Sequence, residues 1–186
     1  YGGNRMKRDI SVFGAGSMGT AVAILLAENG HSIKMWTPVK EEVDMINLKR
    51  EQTEKLPGAK IPSNVSCTLD LGEAAAFSDI YVLVVPSQAV RESCKRLAKI
   101  INNKKVIACF SKGLEKGTGY RMSEVIKQEL PGNEIVAMSG PAHAEELAKG
   151  VPTLYVAASE SKESAELIQD CFISSKFRVY TNPDII

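Results

Sequence analysis

Apolar positions along this chain recur with two spacings. The continuous apolar run at residues 80–85 reads as a central strand of a parallel sheet, the largely apolar 10–13 as a buried strand, and 105–109 as a further strand. Residues 31–36 alternate and read as a further strand, and 65–68, 134–138, 153–158 and 177–180 complete the set. Between them lie stretches with helical spacing: 17–29 closed by Gly30, 88–101, 121–130 and 162–171. Residues 40–55 are highly charged, with Val43, Ile46 and Leu48 as sparse apolar points, and read as a solvated helix docked by one narrow face. Residues 56–62, punctuated by Pro57, Gly58 and Pro62, read as an extended loop, and 70–77 as a short helix capped by Asp70. Strand and helix alternate throughout, which predicts an α/β fold built on a doubly wound, mostly parallel sheet.

Composition narrows the picture. With 44% hydrophobic residues in 186, a sizeable core is available, enough for one domain over residues 7–186. Residues 1–5 carry no pattern and read as a tag or disordered end. The 23 basic and 22 acidic residues nearly cancel, and no basic stripe stands out, so no nucleic-acid surface is expected. Cys67, Cys94, Cys109 and Cys171 show neither C-x-x-C nor metal-ligand spacing and read as reduced thiols in or near the core of a cytoplasmic protein. No metal site, membrane span or signal peptide is read.

The candidate chemistry sits at the ends of the predicted strands. Gly14-Ala15-Gly16-Ser17-Met18-Gly19 lies between the first strand and the first helix, the strand, G-x-G-x-x-G, helix order that holds a dinucleotide. Gly14 serves the tight turn, Gly16 the approach of the pyrophosphate, Gly19 close packing of helix on sheet, and the helix N-terminus faces the phosphates. After the second strand, where an acidic residue would mark NAD and an arginine NADP, the chain has Thr37-Pro38. Glu41 and Glu42 follow late and Lys40 is the nearby cation, so NAD and NADP both stay open. His31 reads as a polar loop residue. Pro86 closes the strand at 80–85 and faces the cofactor. Lys112, leaving a buried run beside Gly113, is placed for an anionic substrate or a reacting oxygen. Ser139-Gly140-Pro141 before a helix reads as a second anion-binding N-terminus, and His143 is either a general base or a first-turn helix residue.

Taken together, Gly14 to Ala21, Val85-Pro86-Ser87, Ser111-Lys112-Gly113-Leu114, Ser139-Gly140-Pro141, Leu56-Pro57-Gly58, Glu146 and Thr181-Asn182-Pro183-Asp184 resemble the bacterial-type NAD(P)-dependent glycerol-3-phosphate dehydrogenases. The resemblance runs from about Lys7 to the end. It implies reversible hydride transfer between NAD(P)H and dihydroxyacetone phosphate, giving sn-glycerol 3-phosphate for phospholipid synthesis. It places Ser17 and Met18 along the pyrophosphate, Lys112 on both cofactor and substrate as the catalytic residue of this chain, Gly140 and Ala142 against the substrate, and Ala144 against the cofactor. The family often has Trp where this chain has Met18, a hydroxyl residue at Ala142, an apolar one at His143, and basic residues at Thr37-Pro38. It also has a helical second domain after the T-N-P-D segment, with a proton-transferring lysine, much of the phosphate site and any homodimer contact. This sequence stops before it, so the expectation is a cofactor-binding domain of such an enzyme. The alternatives are a 3-hydroxyacid or ketopantoate-type dehydrogenase and a dinucleotide-binding module without turnover.

Overall fold

The computed structural model describes residues 6–185; the expectation for residues 1–5 lies outside them. The elements are β1 (Asp9–Phe13), α1 (Ser17–Glu28), β2 (Ser32–Trp36), α2 (Lys40–Asp44), β3 (Val65–Thr68), α3 (Leu71–Ala76), β4 (Ile80–Leu83), α4 (Val90–Ala98), β5 (Val106–Cys109), α5 (Met122–Glu129), β6 (Glu134–Ser139), α6 (Ala144–Ala148), β7 (Thr153–Ala158), α7 (Lys162–Phe172) and β8 (Phe177–Asn182). All eight strands form one sheet in the order β3-β2-β1-β4-β5-β6-β7-β8. The first six are parallel. β7 runs antiparallel to β6, and β8 parallel to β7. The doubly wound, mostly parallel sheet expected from the sequence is therefore present.

The pleat explains the largely apolar runs. Ile10 and Val12 of β1, with Val82 of β4, face a core shared with α1, α6 and α7. Phe13, Tyr81 and Leu83 face the opposite core, under α3, α4 and α5. Each strand must therefore be apolar on both sides. The chain leaves β1 by α1 on one face and β4 by α4 on the other. The strand order thus switches direction between β1 and β4, where such sheets open a crevice beyond their carboxyl ends.

One expectation is corrected and another sharpened. The predicted helix at 40–55 ends early: α2 continues through a wider turn over Met45–Lys49, and Arg50 closes it in the left-handed conformation at φ 54°. The Arg50 guanidinium reaches the carbonyls of Ile61, Pro62 and Val65, so the loop that follows folds back on the helix, and Glu51 bridges to Lys60. Of the apolar points, Ile46 is buried but Leu48 is exposed. His31 does lie in the connection between α1 and β2, but it is buried there. It is 1% exposed: Nδ1 accepts the backbone N–H of Arg8 and Nε2 lies 3.0 Å from the Cys171 carbonyl, which fixes the tautomer with the proton on Nε2. All four cysteines are buried free thiols, and burial pushes them up, Cys67 and Cys94 to about 12.

Candidate active site

A cleft of about 870 Å³ opens beyond the carboxyl ends of β1, β2, β4, β5 and β6. Its floor is the turn from Gly14 to Gly19. Gly14 has φ +121°, and a Cβ there would lie 2.8 Å from the Val84 carbonyl oxygen. At Gly19 a Cβ would drive into the Gly14 carbonyl. So the third glycine serves contact between the helix and its own loop, more than packing of helix on sheet. Gly16 is different: it has ordinary dihedrals (φ −72°, ψ −171°), and a Cβ there meets nothing within 4 Å. The space a side chain would take at Gly16 opens into the cleft.

This turn is held from outside. The Gly14 N–H donates to Trp36, and the Ala15 carbonyl accepts from Thr20 and from Gln52 Nε2 at 3.1 Å. Gln52 is wholly buried. α1 has twelve residues and no acidic side chain in its first turn, so its free N–H groups and dipole stay available to an anion beside Ser17 and Met18. The cradle and the open position at Gly16 fit a dinucleotide pyrophosphate.

At the far end, Pro86 and Lys112 line the cleft with Gly140, Pro141, Ala142 and His143. Ser111 Oγ donates to the Val85 carbonyl and ties the two loops together. Lys112 Nζ donates to the Gly140 carbonyl at 2.7 Å and stands 5.7 Å from the Tyr155 ring centroid. Tyr155 is fully buried and supports this end. A Cβ on Gly140 would lie 2.6 Å from Tyr155 Cγ, and the phenol faces the Ala142 carbonyl at 3.4 Å. A tyrosine in an otherwise ordinary strand gave no sequence signal for this role.

Other expectations change here. Ala144 is buried in the core with Leu147, and the cleft wall ends at His143. α6 begins at Ala144 rather than at Pro141 and has only five residues. Glu145 and Glu146 occupy its first turn, and Glu146 accepts the His143 N–H. Ser139-Gly140-Pro141 is therefore not a second anion-binding N-terminus. His143 is an exposed residue preceding α6. On the β2 side, Glu42, read as late in sequence, reaches back to the strand end and is buried there. Its partners are the Thr37 hydroxyl and Lys55, and Arg96 covers the Trp36 ring. Lys40 instead pairs with Asp44 on the surface. Among the described residues no His/Cys/Asp/Glu cluster fits a metal ion, and no helix is long and apolar enough to cross a membrane.

Comparison with known proteins places this geometry. A family profile described as NAD-dependent glycerol-3-phosphate dehydrogenase N-terminus matches residues 9–165. A glycerol-3-phosphate dehydrogenase [NAD(P)+] of Clostridium perfringens is 44% identical over 177 residues, covering 95% of this chain and 54% of the relative. One from Agathobacter rectalis is 40% identical, covering 95% and 53%. The crystal structure of glycerol-3-phosphate dehydrogenase from Coxiella burnetii superposes with a TM-score of 0.91 at 32% identity, over 96% of this chain and 55% of that one. The chain thus spans about half the length of the curated relatives it matches.

Proposed function

We propose that this chain, which belongs to the NAD-dependent glycerol-3-phosphate dehydrogenase family through its N-terminal domain, is the cofactor-binding part, over residues 7–186, of a cytoplasmic oxidoreductase interconverting dihydroxyacetone phosphate and sn-glycerol 3-phosphate. One observation carries the reading: four segments distant in sequence, 14–19, 84–87, 110–112 and 140–143, line one cleft at the switch point of the sheet.

The dinucleotide supplies the hydride when bound. Gly14, Gly16 and Gly19 give the turn its shape, and the N-terminus of α1 at Ser17 and Met18 would hold and partly neutralise the pyrophosphate. Pro86 lines the wall where a bound nicotinamide would lie. Lys112 is the cation at that end. Its ammonium is held on the Gly140 carbonyl, beside Ala142, where it favours the phosphate-bearing substrate and the negative charge that develops on the reacting oxygen. Gly140 keeps that approach open because no side chain fits between it and Tyr155.

The test is calorimetric NADH binding beside NADH oxidation with dihydroxyacetone phosphate. The chain is expected to bind NADH, with turnover near background. At the nicotinamide end Lys112 and His143 are the candidate proton donors among the described residues, and general acid catalysis is worth about 10²- to 10⁴-fold. Turnover at the level of the full-length relatives would place the proton donor within these residues, with His143 the first to mutate. Absence of NADH binding would overturn the reading.

A further inference from the structure

We propose that the buried carboxylate of Glu42 makes this chain select NAD(H) over NADP(H). The inference rests on the cofactor reading above. A dinucleotide laid with its pyrophosphate over Gly16 brings its adenosine ribose to the carboxyl end of β2. NADP differs from NAD there by one phosphate on the 2′ oxygen, close to two negative charges at neutral pH, and needs free cations to hold it.

The wall at that end is built around an anion. Thr37 is buried, and its hydroxyl donates to Glu42 Oε2. The Val39 N–H donates to the same hydroxyl at 3.3 Å, and Lys55 takes Glu42 Oε1. Lys55 follows Gln52, whose Oε1 accepts the Lys55 N–H while its amide holds Ala15, so the wall and the glycine turn form one unit. The Glu42 side chain is only 5% exposed, so its charge is poorly screened by water and salt.

Among the described residues, both lysines near this wall are paired with carboxylates, and Arg96 is stacked on an aromatic ring. Lys55 is paired with Glu42, and Lys40 with Asp44 on the surface. The Arg96 guanidinium lies over the Trp36 ring, its Cζ 5.0 Å from the centroid. Pro38, directly after Thr37, has neither a charged side chain nor an N–H. A ribose hydroxyl suits this wall, because each carboxylate oxygen keeps a lone pair beyond the bond it already accepts. A 2′-phosphate brings a dianion beside a buried carboxylate, and the lysines on this wall are already paired, which leaves only the ring-stacked Arg96 among the described residues to answer it.

Calorimetric titration of the full chain with NADH and with NADPH tests this directly. NADH is expected to bind about tenfold tighter or more, a modest fraction of one close charge–charge contact at the protein surface. Glu42→Gln removes the charge and releases Lys55, and is expected to tighten NADPH by about tenfold while NADH moves by less than about threefold. Circular dichroism and a thermal midpoint confirm that the variant folds. Should it not fold, the wild-type ratio and Arg96→Ala carry the test, since that variant is expected to leave the ratio unchanged. Equal or tighter NADPH binding by the wild type, or NADPH affinity lost in Arg96→Ala, would overturn the proposal. So would an unchanged ratio in a folded Glu42→Gln variant. Binding of neither nucleotide would instead sink the cofactor reading, which distinguishes the two failures.

Discussion

Gly16 and Gly19 sit three residues apart in one turn, yet substituting them should have opposite consequences. At Gly16 the backbone is in a region open to any residue, and a Cβ meets nothing within 4 Å. Gly16→Val therefore leaves the fold in place. Its cost is that of a poor residue at the cap of α1, about 1 kcal/mol, lowering the thermal midpoint by roughly 2–4 °C in a domain of this size. The new side chain fills the space over the α1 N-terminus, so NADH affinity should fall by about 100-fold or more, equivalent to about 2.7 kcal/mol. At Gly19 a Cβ would press on the Gly14 carbonyl, a backbone group with no room to retreat, because Gly14 itself rests on Val84. Gly19→Ala should cost about 3 kcal/mol or more by overpacking, a drop of roughly 6–12 °C. Differential scanning calorimetry gives the midpoints and isothermal titration gives NADH binding. If Gly16→Val binds NADH like the wild type, the pyrophosphate does not lie over Gly16. If Gly19→Ala is as stable as the wild type, the tight turn is not what that glycine serves.

Two further predictions concern stability. Arg91, beside Glu115 in a paired hydrogen bond, holds its carboxyl down at about 2, against an ordinary 4.5. A depressed carboxylate stabilises the fold fully above its unfolded value and loses that contribution as pH falls through the folded one. The stability gap between wild type and Glu115→Gln in urea should therefore close between pH 4.5 and 2, and a gap that widened on acidification would contradict the pairing. His31→Phe strips the partner from the Arg8 N–H, while the Cys171 carbonyl keeps Asn29 Nδ2, at about 1–3 kcal/mol; a thermal midpoint equal to the parent's would show that water or neighbours replace the ring.

The sequence announced the strands and the glycine turn because both are local patterns. Ile10 to Phe13 and Ile80 to Leu83 are apolar apart from Ser11, whose buried hydroxyl donates to the Ala74 carbonyl, because both faces are covered, and the turn lies within six residues. What escaped it depends on reach. Glu42 lies in a run of charges that looks solvated, but its side chain folds back five positions to Thr37 and is met by Lys55 from a later loop. Gln52 and His31 are polar residues buried by partners 37 and 140 positions away, which no periodicity reveals. The helix at 40–55 failed at Arg50, whose guanidinium finds three carbonyls that exist only once the loop has closed. The second anion site failed because Glu145 and Glu146, legible in the sequence, already occupy the short helix that was to provide it.

The reversal of direction at β7 also decides where the molecule can be handled. β7 and β8 point their carboxyl ends away from the cleft, so Ser159 and Glu160 emerge beside Asn133 and Glu134, at the edge where β6 begins. Asn182, at the end of β8, comes out on that same remote edge. A six-residue strand, roughly 20 Å long, lies between there and the glycine turn. A fluorophore or surface tether attached at Glu160, whose side chain is exposed, would thus grip the protein by its back and leave the mouth of the cleft turned toward solution.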